Sequence, residues 1–100
     1  MINSGIYLIY NTQNSKVYVG SSRNIKRRWN QHRADLRGNR HPSYFLQRDW
    51  NKHGEEAFEF HVIELVTKPE MLLAREQVHL DTLQAWKDEY GYNSAKTVKV

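Results

Sequence analysis

The chain has 100 residues, room for one domain and one modest core, and its 39% hydrophobic, 12% aromatic and 26% charged content fits a folded chain rather than a disordered tail. Cysteine is absent, which excludes disulfides and thiolate metal sites. No apolar run approaches membrane-spanning length and Met1-Ile2-Asn3-Ser4 lacks the layout of a signal peptide, so the expected location is the cytoplasm. The formal net charge of +4 is mild but uneven: the stretch from Arg23 to Arg40 carries +6 and the remainder −2, a footprint that suits a polyanion such as nucleic acid or a solvated helix face.

Gly5-Ile6-Tyr7 and Tyr18-Val19-Gly20 read as two short strands joined by the loop Asn11 to Ser15, a hairpin over residues 5–20. Strand alternation puts Tyr7 and Ile9 on one face and Ile6, Leu8 and Tyr10 on the other; Val17 and Val19 oppose Tyr18. Antiparallel pairing can then set both phenols side by side, although tyrosine is also a common strand residue.

Ser21, Ser22 and Asn24 offer capping chemistry before an amphipathic helix over about 24–37 that Gly38 closes. Ile25, Trp29, His32 and Leu36 form its apolar stripe, with Arg27 nearly opposite and Arg28 on the flank about 60° from the stripe's centre. Basic residues crowd the first turns, against the helix macrodipole, which suits a ligand better than it suits stability. His41-Pro42 breaks the chain. A second helix is expected over 43–53, with Phe45 and Trp50 in the core and Gly54 ending it. The alternation of Phe58, Phe60 and Val62 against Glu59, His61, Ile63 and Leu65 predicts a strand over 57–66.

Pro69 suits the first turn of a last helix running to about Trp86. Leu72, Leu73, Leu80 and Leu83 form its apolar stripe, and Glu76 falls inside it. A carboxylate there is costly to bury unless it is protonated, bound to a metal, or paired with a cation such as Arg28 or Arg75. Gly91-Tyr92-Asn93 and a polar tail over 94–100 end the chain.

The two tyrosine motifs, followed by Arg28 with His32, Glu76 and Asn93, resemble the GIY-YIG nuclease superfamily over nearly the whole chain. The resemblance is closest to the N-terminal catalytic domain of phage intron-encoded homing endonucleases. It rests on Lys16-Val17-Tyr18-Val19-Gly20-Ser21, Arg28-Trp29 with His32, Leu46-Gln47-Arg48 and Asn51-Lys52-His53-Gly54; Val19 stands where isoleucine is commonest. It implies an α+β fold, a three-stranded antiparallel sheet flanked by helices in the order ββααβα.

The implied activity is divalent-metal-dependent hydrolysis of DNA phosphodiesters at one site per chain, with no small-molecule substrate. By resemblance Glu76 is the single metal ligand for Mg²⁺ or Mn²⁺, Arg28 stabilises the phosphate, and Tyr7 or Tyr18 handles the attacking water. His41 is a further active-site histidine, and Gly5, Gly20 and Asn93 are structural or hydrogen-bonding. A free tyrosine with a pKa of about 10 is a poor base, so the phenol that serves needs a cation close by, and Tyr18 is the preferred choice. Arg23, Lys26, Arg27, His32 and Arg33 are then expected to contact DNA, mostly at backbone phosphates. The resembling enzymes follow this domain with a DNA-binding module. The chain therefore reads as an excised catalytic domain that lacks a C-terminal partner or as a weak binder acting alone. A non-catalytic nucleic-acid-binding module, which would bind DNA without turnover, and a basic protein-interaction domain are the alternatives.

Overall fold

A computed structural model of the chain describes residues 3–98; positions 1–2 and 99–100, which belong to the N-terminal stretch and the polar tail read above, lie outside the described residues. The elements are β1 (Gly5–Asn11), β2 (Val17–Ser22), α1 (Ile25–Arg37), α2 (Tyr44–His53), β3 (Phe58–Leu65) and α3 (Leu72–Leu83), with short 3₁₀ turns at Glu55–Ala57 and Pro69–Met71. The order ββααβα and the three-stranded antiparallel sheet are as expected, with β1 in the centre and β2 and β3 at the edges. Among the described residues no helix is long and apolar enough to cross a membrane.

The hairpin register pairs Tyr7 with Gly20 and Ile9 with Tyr18, so both phenols stand on one face of the sheet. That face packs on α1 and α2 through Tyr7, Ile9, Ile25, Leu36, Leu46, Trp50, Phe58 and Tyr92. The other face, with Ile6, Val17 and Val19, packs on α3 through Leu72 and Leu80. Each such fully buried side chain contributes about 1.5–3 kcal/mol of hydrophobic stabilisation. The register between β1 and β3 shifts by one residue between Ile6 and Tyr7, and the extra residue on β3 is Ile63. Phe60 and Val62 stay on the phenol side and Ile63 faces α3, as alternation requires; the bulge then sets the next residue, Glu64, opposite Ile6 on the α3 side too, where it meets Arg75 and His79.

Capping sets the ends of α1 and α2 where the sequence placed them, whereas the last helix begins only at Leu72, after the 3₁₀ turn Pro69–Met71 and with no side-chain cap. Asn24 caps α1 through the Arg27 N–H, and Ser43 caps α2 through the Leu46 N–H. The last helix stops at Leu83, not Trp86, because Gln84 turns left-handed (φ 51°) and the chain folds back so that the Ala85 N–H reaches the Leu80 carbonyl. Its stripe is also narrower than expected. Leu72, Glu76 and Leu80 face inward at a spacing of four, while Leu73 and Leu83 remain 39% and 36% exposed. Phe45 is a second correction: it lies 42% exposed, because α2 buries Leu46, Gln47, Asp49 and Trp50 instead.

The edge of β2 is covered by the segment after α3. Gly91 forms a parallel bridge with Val17, and the Asn93 side chain bonds both the N–H and the carbonyl of Val19, at 2.9 Å each. Tyr92 anchors this segment: its hydroxyl donates to the buried Asp49 carboxylate (2.7 Å) and accepts from Asn11 (3.0 Å), and Asn14 also donates to Asp49 (3.1 Å). Burial pushes the Asp49 carboxyl pKa up, but the bonds from Tyr92, Arg48 and Asn14 outweigh it and hold the group below its ordinary value. Its contribution to stability is therefore present above the unfolded pKa of about 3.9 and is lost as the pH falls through the lower folded value. Asp49→Asn should lose about 1.5–3 kcal/mol at pH 7 in urea unfolding, with the gap from the parent closing below about pH 3.

Candidate active site

The site is assembled at β2, where both layers meet. A cavity there is lined by Tyr18 from the phenol face, Glu76 and Leu80 from α3, Ser43 from the start of α2, and Asn93, Ala95, Thr97 and Val98 among others from the covering segment. That segment was read from the sequence only as a polar tail. It is held by the Gln77 side chain, which donates to the Lys96 carbonyl (3.0 Å) and accepts from the Val98 N–H (2.8 Å).

Behind the cavity the phenol of Tyr7 bonds His32 Nε2 at 2.6 Å, and His32 Nδ1 bonds His41 Nε2 at 2.8 Å. The backbone N–H of Ser43 donates to His41 Nδ1 at 3.0 Å, and this fixes every proton in the chain. His41 Nδ1 must accept, so its proton sits on Nε2 and is donated to His32 Nδ1. His32 then carries its proton on Nε2 and donates it to the Tyr7 oxygen. The Tyr7 hydroxyl thus has one lone pair held by His32 and its own proton free for the site. Gln47 fixes His41 from the other side by accepting its backbone N–H at 3.0 Å. Tyr18 makes only edge contacts to the two imidazoles, with ring centroids 5.3 and 5.8 Å away.

Both histidines are held neutral. Burial first, then the Arg28 and His41 charges, bring His32 down to about 3. Burial and Arg28 lower His41 despite Asp35. Burial also raises both phenols; Arg28, beside them, works in the opposite direction without prevailing, and Glu76 adds to the rise. The Glu76 carboxyl is itself raised by burial, opposed by a hydrogen bond from the Ser21 hydroxyl. Neither cation named as its alternative partner is paired with it, since Arg75 forks onto Glu64, where His79 also binds. A half-buried carboxylate with a hydroxyl donor and, among the described residues, no paired cation fits a divalent ion. Among the described residues no three His, Asp or Glu groups converge, so an ion there would take one protein ligand, a mode that Mg²⁺ completes with water and phosphate.

The basic residues separate. Arg23, Arg27 and Arg28 line one groove with Ser22 and Gln31 at the start of α1. Lys26 is exposed on the same helix, and Arg33 is drawn over the Phe60 ring, 4.2 Å from its centroid. His32 corrects the expectation of a DNA contact: it is 0% exposed and closed off behind Tyr7 and His41. Gly20 owes its place to Tyr7, whose hydroxyl would lie 2.4 Å from a Cβ there; a Cβ at Gly5 would strike the Glu64 carbonyl. Ser21, Ser43, Gln47 and Gln77 were missed by the sequence reading. Signals were present for Ser21, read as a capping residue, and for Gln47, which lies in the resembling segment Leu46-Gln47-Arg48.

Two outcomes follow from this geometry. Because folding lowers both histidine pKa values, the unfolded chain binds more protons below about pH 6.5, and stability falls as the pH falls. Unfolding free energy measured from pH 7 to 5 should drop by up to about 1.4 kcal/mol per pH unit for each histidine, and His32→Gln should flatten that slope. Gly20→Ala should displace the Tyr7 ring, cost about 1–3 kcal/mol, and remove the slowly exchanging His32 imidazole N–H resonance that the parent should show by NMR.

The sequence matches the GIY-YIG catalytic domain family over residues 3–93. Intron-associated endonuclease 1 of Enterobacteria phage T4 is 40% identical over 95 residues, which cover 94% of this chain and 38% of the phage protein. The chain thus spans little more than a third of that relative's length. Among solved structures, a glutamate-to-alanine mutant of the catalytic domain of intron endonuclease I-TevI superposes with a TM-score of 0.85 at 38% identity, covering 96% of this chain and 97% of that one. The catalytic domain of homing endonuclease I-TevI gives a TM-score of 0.83 at 40% identity, with 92% and 98% covered.

Proposed function

The chain belongs to the GIY-YIG nuclease family, and from that premise we propose that it hydrolyses DNA phosphodiester bonds with Tyr7 as base, Arg28 as phosphate clamp and Glu76 as the ligand of one Mg²⁺ or Mn²⁺ ion. The observation that carries this reading is Glu76: a carboxylate drawn into the apolar stripe of α3, bonded by Ser21, opening on the cavity of Tyr18, and unpaired by any arginine. Bound there, a divalent ion supplies charge neutralisation, both to the phosphate and to the Glu76 charge that raises the Tyr7 pKa.

The directed bond from His32 separates the phenols. Once Tyr7 has released its proton to solvent, His32 Nε2–H and the nearby Arg28 stabilise its oxygen; among the described residues Tyr18 has no hydrogen bond of this kind. This favours Tyr7 over the Tyr18 of the sequence reading. Its oxygen takes a proton from the attacking water as that water bonds to phosphorus and the bond from phosphorus to the leaving oxygen breaks. Arg28 offers its planar donors to the phosphate oxygens, where negative charge builds. Arg23 and Arg27, in the same groove, hold neighbouring backbone phosphates. Affinity for a particular site is assigned to a further DNA-binding segment, for which the extra length of the phage relative leaves room.

Supercoiled plasmid should be nicked by the parent in Mg²⁺ and left intact in EDTA. Glu76→Ala and Arg28→Ala should abolish product. Tyr7→Phe should slow single-turnover nicking by about 10²–10⁴-fold, and Tyr18→Phe by much less. Cleavage by Glu76→Ala at the parent's rate would overturn the assignment of the ion, and an unimpaired Tyr7→Phe that of the base.

A further inference from the structure

A second groove lies on the far side of His41, between the turn at residues 39–42 and α2, and nothing in the proposed chemistry uses it. Its wall is Tyr44, at 70% the most exposed of the large hydrophobic side chains described. Tyr44 stands edge-to-face on Phe45 with centroids 5.3 Å apart, so a projecting ring is braced by a second exposed ring. One turn on, Arg48 lies over the other side of this pair, its guanidinium carbon 5.0 Å from the Phe45 centroid and its Nε bonded to Asp49 at 3.1 Å. Asp49 also accepts from Tyr92 and Asn14. The arginine is held at Nε, and its two Nη groups have no hydrogen-bond partner among the described residues.

The floor is an amide ladder. Gln47 donates to Asn51 at 2.9 Å, Asn51 donates to Asn39 at 3.0 Å, and Gln47 accepts from the His41 backbone. The groove therefore shares His41 and Gln47 with the hydrogen-bond chain that ends on Tyr7. Its surroundings keep a net positive charge: Arg40, Arg48 and Lys52 are exposed, against Asp35 bonded to Arg40 and Asp49 bonded to Arg48. A flat aromatic face beside a fixed fork of donors, over amides that read base edges, matches a nucleotide. An acidic peptide would use the cations and leave Tyr44 unmatched.

We propose that this groove binds one nucleotide of the DNA strand flanking the reacting phosphate, with its base stacked on Tyr44 and its phosphate on the Nη groups of Arg48. The proposal rests on the nuclease reading for its choice of DNA and for the neighbouring site. It gives the domain a contact with a base near the cut, in addition to the phosphate contacts of α1.

The test uses the full chain with a DNA duplex carrying 5-iodouracil in place of thymine, irradiated in EDTA so that binding is measured apart from cleavage. The parent should crosslink through the peptide containing Tyr44. Tyr44→Phe should retain the crosslink. Tyr44→Ala should lose it and raise the half-saturating DNA concentration about tenfold. Arg48→Ala should lower the log–log salt dependence of binding by about one. A parent that nicks plasmid while Tyr44→Ala and Arg48→Ala bind DNA with its affinity and salt slope would overturn this proposal and leave the nuclease reading standing. A Tyr44-dependent crosslink from a parent that never nicks would support the groove and overturn the nuclease.

Discussion

A hydroxyl buried at a helix–sheet interface must be bonded, and the whole phenol side of this domain follows from satisfying that of Tyr7. Leaving such a group unpaired costs about 1–3 kcal/mol, so α1 must bring His32 to it within the stripe that also buries Ile25 and Leu36. The imidazole has a second nitrogen, which hands the requirement to His41. His41 passes it to the Ser43 amide at the start of α2, and its own backbone to Gln47. The loop between the helices is thereby fixed by a polar chain rather than by apolar packing. Since the chain ends on a backbone N–H, which cannot give up its proton, it cannot reverse, and its donors point toward Tyr7.

The opposite face handles charge differently. Glu64 on β3 is neutralised by Arg75 and His79 and is thereby held below the ordinary carboxylate range. Glu76, one residue from Arg75 on the same helix, is bonded among the described residues by Ser21 alone, and its pKa moves upward through burial. Two glutamates a short distance apart thus have opposite electrostatics because one arginine serves only the first. An unpaired carboxylate weakens the fold, and it is placed where a bound cation would remove the penalty. Arg28 is the complementary case: as a cation among raised phenols and lowered histidines, its field is spent on the site rather than on an ion pair.

Much of this was legible in the sequence because period and capping are local. The alternation within each tyrosine strand, the stripe of α1 and the intrusion of Glu76 all follow from spacing alone, while the register that sets both phenols on one face does not. What was not legible depends on pairing between distant segments. The bulge at Ile63 is a register event between strands some fifty residues apart, and strict alternation passes through it unnoticed. Phe45 was placed in the core because aromatics usually are, yet α2 buries the face of Leu46 and Trp50 and leaves Phe45 to support Tyr44. His32 reads as one position of an amphipathic helix; only its distances to Tyr7 and His41 make it part of a relay rather than a DNA contact.

The position of β2 explains how so small a domain gathers a site from four elements. A central strand would be paired on both sides and would keep the phenol layer and the α3 layer apart. An edge strand has one free side, around which residues from both faces can converge: Tyr18 from one, Glu76 from the other, and Ser43 from the loop above. Such an edge is also a liability, since its unpaired backbone invites another chain. Here the segment after α3 covers it, with the Asn93 amide taking both backbone groups of Val19 and with Gln77 holding the residues that follow. Asn93 thus resolves two demands at once, because the group that caps the exposed strand also lines the wall of the cavity that the strand's openness makes possible.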